Sequence, residues 1–280
     1  MRNNEDRLGA RQASESDAPK MPNPMDYVTP TEFIELPSKG QYYPEGHPLR
    51  NKETVEIRFM TAKDEDILTS RALLKKGVAL DRLINNLVVE QGVDASSMLI
   101  GDRNAVVIAA RASAYGHIYK TTAACPSCTE KSKHSFNLLE PTVYDGSEHE
   151  DYDITHREDG LYDITLPYSK IVVTARQLIG TDETKIVQRL QRKTSKKEEI
   201  ETTVTDQMLA YIVAVNHYPD QRAIKHVVHN LIAKETRYLR NAYAAITPDL
   251  KITGDFECPS CGHEQELEVP FGADFFWPDR

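Results

Sequence analysis

This 280-residue chain has no window approaching about eighteen uninterrupted apolar residues, which excludes a single helical membrane span. Its first twenty residues, MRNNEDRLGARQASESDAPK, lack the apolar core of a secretory signal, so the cysteines are expected in a reducing compartment, where structural disulfides are uncommon. Positive charge is not in excess either. A net charge of −9 offers no general attraction to nucleic acid or to an anionic membrane surface. No glycine loop suited to phosphate, no nucleophile elbow and no triad is visible. These absences point to a scaffold rather than an enzyme.

What the chain does have is one tetrapeptide used twice. Cys125-Pro126-Ser127-Cys128 recurs as Cys258-Pro259-Ser260-Cys261, and no other cysteine is present. Each copy sits in a polar turn between two extended segments, HIYKTTAACPSCTEKSKHSFNL and LKITGDFECPSCGHEQELEVPF. A Cys-x-x-Cys at the tip of a hairpin turns two thiolates toward one point, and a structural Zn²⁺ takes four in a tetrahedron. The pattern therefore predicts one Cys₄ Zn²⁺ site built from Cys125, Cys128, Cys258 and Cys261. Gly262 suits the left-handed conformation that follows such a motif, whereas Thr129 holds that place in the first copy. Two alternatives remain, disulfides or thioredoxin-like redox chemistry. The latter needs the first cysteine at the start of an apolar helix, and neither TEKSK nor GHEQE makes one.

Around the knuckles the sequence reads as an internal duplication. IELP at 34–37 is answered by ITLP at 164–167, and VEIRFMTAKDE (Val55 to Glu65) lies against VTARQLIGTDE (Val173 to Glu183) at an offset of 118. The same offset carries Asp102 and Ala105 onto Asp220 and Ala223. The expected class is α+β, with two related strand–helix–knuckle halves joined by a zinc-ribbon-like site. Residues 31–140 form the first half, 141–160 an exposed acidic linker, and 161–280 the second half. Residues 1–30 are polar, with prolines at 19, 22, 24 and 30, and read as a disordered arm that orders on a partner.

Local signals place the helices. Thr61 with Asp64 makes a helix start and Gly77 a stop. Leu80, Leu83, Ile84, Leu87 and Val88 share a helical face ending near Gly92, and a third helix starts at Asp102. In the second half, Met208, Leu209, Ile212, Val213 and Val215 form one apolar set, and Ile224, Val227, Val228, Leu231 and Ile232 another. Other candidates are weaker. His217, His226 and His229 have no carboxylate completing a zinc-protease pattern, His134 and His263 stand beside the cysteines as neighbours, and the basic run from Gln188 to Glu201 carries its own three glutamates.

The stretches LPSKGQYYPEGHPL, VEIRFMTAKDEDILTSRALLKKGVALDRLI and LIGDRNAVVIAARASAYGHIYKTTAACPSC resemble the T-even-type phage baseplate protein family, whose members are hub components. The resemblance implies a structural or assembly role in the baseplate of a contractile-tailed phage, with other baseplate and tail proteins as partners and the virion tail as location. A zinc-ribbon nucleic-acid-binding module is the rival class, disfavoured by net acidity and by the lack of aromatic residues interleaved with a basic strand face. A Cys-x-x-Cys redox protein is the third.

Overall fold

A computed structural model describes residues 24–139, 141–147, 149–195, 203–269 and 273–276. Of the arm expected to be disordered over 1–30, residues 1–23 lie outside these residues and Pro24–Asp26 form a short 3-10 turn, while the side chains of most of the basic run also lie outside them. Thr31–Arg280 is one compact unit. It mixes helices with small antiparallel sheets, as an α+β protein does.

The first part opens with β1 (Thr31–Glu35) paired to β2 (Thr54–Arg58). Between them, the turn-rich segment is folded inward, with Leu36, Ser38, Tyr43 and Leu49 all buried. Helices α1 (Ala62–Thr69), α2 (Arg71–Lys76), α3 (Ala79–Leu87) and α4 (Ile100–Tyr115) follow. The helix expected to run from Thr61 to Gly77 is broken at Ser70, an extended residue that ends α1 and precedes α2. Its ends fall where the sequence put them: Thr61 and Asp64 form a capping box, and Gly77 closes α2 with a φ of 69°. The hairpin of β3 (Ile118–Ala124) and β4 (Lys131–Asn137) carries the first knuckle.

The stretch read as an acidic linker is partly sheet. β5 (Thr142–Tyr144) and β6 (Ile154–His156) lie in it, because Val143, Tyr144 and Ile154 supply apolar or aromatic faces between the acids. β6 joins β7 (Tyr162–Thr165) and β8 (Val172–Ala175) in a four-stranded antiparallel sheet. Helices α5 (Gly180–Ser195) and α6 (Thr203–Tyr211) lead to the last strand of that sheet, β9 (Ile212–Val215). The apolar set from Met208 to Val215 therefore splits into helix and strand at Ile212, where β-branched residues begin that fit a pleated surface better than a helix. Helices α7 (Gln221–Asn230) and α8 (Ala233–Ala245) divide at Leu231 and Ile232. β10 (Asp249–Lys251) pairs with β5, and β11 (Thr253–Glu257) with β12 (Glu264–Glu268) makes the second knuckle hairpin.

Two apolar cores result. One gathers Leu36, Val55, Ile57, Leu83, Leu87, Val106 and Ile108, and also takes Ile252, Val269, Phe275 and Phe276 from the C-terminal end. The other runs from Tyr162 through Val173, Met208, Ile224 and Leu239 to Ile246.

The same polar joints occur in both parts. Arg58 grips Asp64 through two bonds of 2.7 and 2.9 Å, and Arg176 grips Asp182 at 2.7 and 2.8 Å. Each arginine also donates to the carbonyl of the next residue, Phe59 or Gln177, at 3.1 Å. A buried carboxylate in the third residue of the last helix then receives the turn after the first strand of each part. Asp102 of α4 accepts from the Ser38 amide and hydroxyl at 3.0 and 2.6 Å. Glu235 of α8 accepts from the Tyr168 and Ser169 amides at 3.1 and 2.7 Å. The counterpart of Asp102 in this respect is thus Glu235, at a distance of 235 − 102 = 133 positions, the same as 258 − 125 between the knuckles. Asp220, aligned with Asp102 at offset 118, is instead the N-cap of α7. Between its first strands and α8 the second part carries longer helices than the first part does before α4, which accounts for the change of spacing from 118 to 133.

Candidate metal centre

The hairpins form because their sequences alternate. Along β3, Tyr119 and Ala123 point inward between exposed neighbours, and along β11 Phe256 does so between Asp255 and Glu257. Each strand pair then closes over its Cys-Pro-Ser-Cys turn with the same two backbone bonds. The Cys125 amide donates to Glu130 O at 2.8 Å and the Thr129 amide to Cys125 O at 2.8 Å. In the second, Cys258 donates to His263 O and Gly262 to Cys258 O, both at 2.9 Å. Thr129 and Gly262 have φ of 62° and 68°, so the threonine adopts the left-handed conformation that its partner takes as glycine.

The hairpins bring all four cysteines together. Cys125 Sγ lies 3.7 Å from Cys261 Sγ, and Cys128 Sγ lies 3.6 Å from Cys258 Sγ. The pairing is reciprocal, first cysteine of one knuckle against second of the other, as a local twofold requires. The four sulfurs lie within 4.8 Å of one another, and none is in a disulfide. Zn–S bonds of about 2.3 Å in a tetrahedron set the sulfurs about 3.8 Å apart, so the cluster has the dimensions and the donor set for that ion. Among the described residues this is the one group of three or more metal-ligating side chains so gathered.

Burial divides each knuckle alike. Cys125 and Cys258 are buried while Cys128 and Cys261 face solvent. Beneath the first pair, Ala123, Phe256 and the half-buried Leu267 form a small separate apolar cluster. As free thiols Cys258 and Cys128 shift in opposite directions. Amide donation from Cys261 and then from Ser260, together with the Cys128 and Cys261 thiols, draws Cys258 down to about 7 against the burial that opposes it. At Cys128 the Glu130 amide lowers the value, but the facing Cys261 thiol, burial, and the Cys258 and Cys125 thiols together push it up to about 12. Four thiolates this close repel one another, and a dication is what lets them ionise together.

The flanking histidines have other partners. His134 Nε2 meets Ser132 Oγ at 2.7 Å and its ring packs 4.4 Å from Phe256, while His263 Nε2 meets Gln265 Oε1 at 3.0 Å. Farther away, in α7, the Asn230 side-chain amide donates to the His226 carbonyl at 2.7 Å and lies 3.5 Å from its ring Nδ1. The junction also depends on Gly254, which alternation alone did not single out. A Cβ there would lie 2.5 Å from the Phe136 ring, so the glycine lets β11 close onto β4.

No helix among the described residues is long and apolar enough to cross a membrane. Neither the curated proteins nor the solved structures contain a match to this chain. A family model described as T4 bacteriophage base plate protein does match, over residues 29–277, and with nearly the whole fold inside that span the chain belongs to this family of phage baseplate components.

Proposed function

We propose that this protein is a structural or assembly component of the hub region of a contractile-tail baseplate, built by internal duplication and clamped by one Zn²⁺ held by Cys125, Cys128, Cys258 and Cys261. The observation that carries the clamp is the reciprocal pairing of the two knuckles within one chain. A bound Zn²⁺ supplies tetrahedral coordination and no redox chemistry. The chain's own residues do the rest: the hairpins aim the sulfurs, Gly254 admits Phe136, and the Ala123–Phe256 cluster seats the buried pair. The repeated arginine–aspartate grips and helix-start carboxylates support the duplication, with 31–140 and 161–280 as its copies and 141–160 between them.

A baseplate joins subunits of differing arrangement, and residues 1–30, too polar to form a core, suit an arm that orders against a neighbouring baseplate protein. The test has two readouts. Elemental analysis of purified protein should give one zinc per chain, lost in Cys125→Ser and in Cys258→Ser. Two zinc ions, iron in their place, or metal retained after both changes would overturn the clamp. Deleting residues 1–30 should leave zinc content and Tm unchanged but lower incorporation into tails, and normal assembly of the deletion would remove the arm from the proposal.

A further inference from the structure

Among the described residues β1 is paired along one edge only, with β2, and β5 is paired with β10. Both also line a single groove of about 440 Å³ that lies over α4. Of the five α4 residues lining the groove, Ala105, Ala109, Ala112 and Ser113 are small and Ile108 is not, so a backbone can come close over most of that face. Its rim is apolar and open to solvent. Phe33 is 72% exposed, Leu139 65% and Val143 44%, so the described chain leaves much of this apolar surface in water. Unpaired strand edges beside exposed apolar side chains are the setting in which an extended segment adds to a sheet.

The groove also has a charge preference. Glu32 lines it, and its Oε1 is buried with no hydrogen-bond partner among the described residues. Glu35 stands on the same strand, and no lysine or arginine is among the lining residues. A buried carboxylate oxygen left without a donor costs free energy that an incoming N–H or ammonium recovers. A helical occupant satisfies its own backbone and would leave the strand edges as they are. An extended one answers the edges, the apolar rim and Glu32 together.

We propose that this groove receives an extended segment of another baseplate protein, which adds as a strand to the free edge of β1, lays alternate apolar side chains on α4 and places a lysine or arginine on Glu32. The proposal rests on the baseplate reading for the identity of the partner, but neither on the zinc clamp nor on the N-terminal arm.

The probe is a set of synthetic ten-residue peptides tiling the other tail proteins of the phage that encodes this chain, screened against the full-length protein by fluorescence anisotropy. The peptides that bind should share alternating apolar residues and a basic one. Their binding should slow hydrogen exchange at amides of Thr31–Glu35 that the β2 ladder leaves free. Glu32→Gln should weaken them about tenfold, the loss of one charge-assisted bond. Leu139→Asp, at a position 65% exposed, should weaken them without changing the Tm of the free chain. Binding that ignores both substitutions, or that leaves β1 exchange unchanged, would overturn the proposal. So would self-association lost in Leu139→Asp, which would assign the groove to a second copy, and so would the absence of any bound peptide. A chain that binds no peptide yet enters tails normally would fail here while leaving the baseplate role standing.

Discussion

The carboxylates at the start of α4 and of α8 do one job in two settings. Asp102 is short and wholly buried, and it is reached by a buried turn: Ser38 gives both amide and hydroxyl, and Tyr43 adds its hydroxyl at 2.8 Å. Tyr43 in turn accepts from the Leu99 amide at 3.1 Å, so the network ties the turn, the loop and the helix entry into one unit. Glu235 is longer, and it reaches out to two amides of a turn whose residues Tyr168 and Ser169 are exposed. A like position therefore carries different weight, because water can replace Glu235 at its turn and cannot replace Asp102.

The broadest way to break that comparison is to withhold the Zn²⁺ proposed for the knuckles. The knuckle hairpins are small and largely polar, so the proposed Zn²⁺ would order them more than it orders the apolar cores. The cores should respond unequally, since the first borrows Ile252, Val269, Phe275 and Phe276 from chain that emerges around the second knuckle. The buried residues of the second core all lie between Tyr162 and Ile246, and from the first part only the half-buried Tyr42 packs against them among the described residues. With a chelator present, limited proteolysis should cut first in β3–β4 and β11–β12, then loosen the first core while peptides of the second stay protected. Equal digestion of both cores, or digestion unchanged by chelator, would defeat this asymmetry.

Truncating the two carboxylates tests the contrast directly. Asp102→Ala should cost about 3–5 kcal/mol, because it strands buried donors on Ser38 and Tyr43. Glu235→Ala should cost about 1–3 kcal/mol, since solvent re-pairs the Tyr168 and Ser169 amides. Denaturant titration of both variants at neutral pH compares them, and equal losses would show that the exposed turn depends on its carboxylate as much as the buried one does.

These joints were only partly legible in the sequence. The two Cys-Pro-Ser-Cys turns, the Thr61 cap and the Gly77 stop depend on neighbours a few residues away, and each lies where the pattern put it. The Arg58–Asp64 and Arg176–Asp182 grips were visible as matched letters, though not as ion pairs. What stayed hidden depends on distant chain. β9 is a strand because β8 pairs with it, and β5 is one because β10, more than a hundred residues later, lies alongside. Glu235 could not be matched to Asp102 by identity, because a carboxylate one methylene longer holds a turn of different register.

Titration separates the two kinds of joint by sign. Burial acts to raise Asp64 and Asp182, but hydrogen bonds from Arg58 and Arg176 and from local backbone amides outweigh it and hold both below the usual carboxylate range. Their contribution is complete above the unfolded carboxylate value and is lost as pH falls through the lower folded one. At Asp102 burial prevails over the Ser38 and Tyr43 bonds and raises the value. Its contribution is complete below the unfolded value and falls away as pH rises toward the folded one. Asp102→Asn removes the charge and keeps the shape, so relative to the unaltered chain it should gain stability between about pH 4 and 7. Asp64→Asn should cost about 2 kcal/mol at pH 7 and little at pH 2. Denaturation measured across that range reads both, and parallel curves for Asp102→Asn and the unaltered chain would refute the assignment for Asp102.

The smallest effect lies between the knuckles. Thr129 and Gly262 hold the same left-handed backbone, at φ of 62° and 68°, and donate the same bond to the first cysteine of their turn. A β-branched residue is strained there and glycine is not. An added Cβ at Gly262 meets nothing within 4 Å, so Gly262→Ala reads the backbone cost by itself, about 1 kcal/mol. Thr129→Gly should return a similar amount, less the entropy that glycine adds to the unfolded chain, for a net gain of about 0.5 kcal/mol. Competition against a zinc chelator reports both changes at the knuckle: Gly262→Ala should release metal more readily and Thr129→Gly should hold it slightly longer. If Thr129→Gly releases metal more readily instead, the threonine side chain contributes something to the first knuckle that relief of backbone strain does not replace.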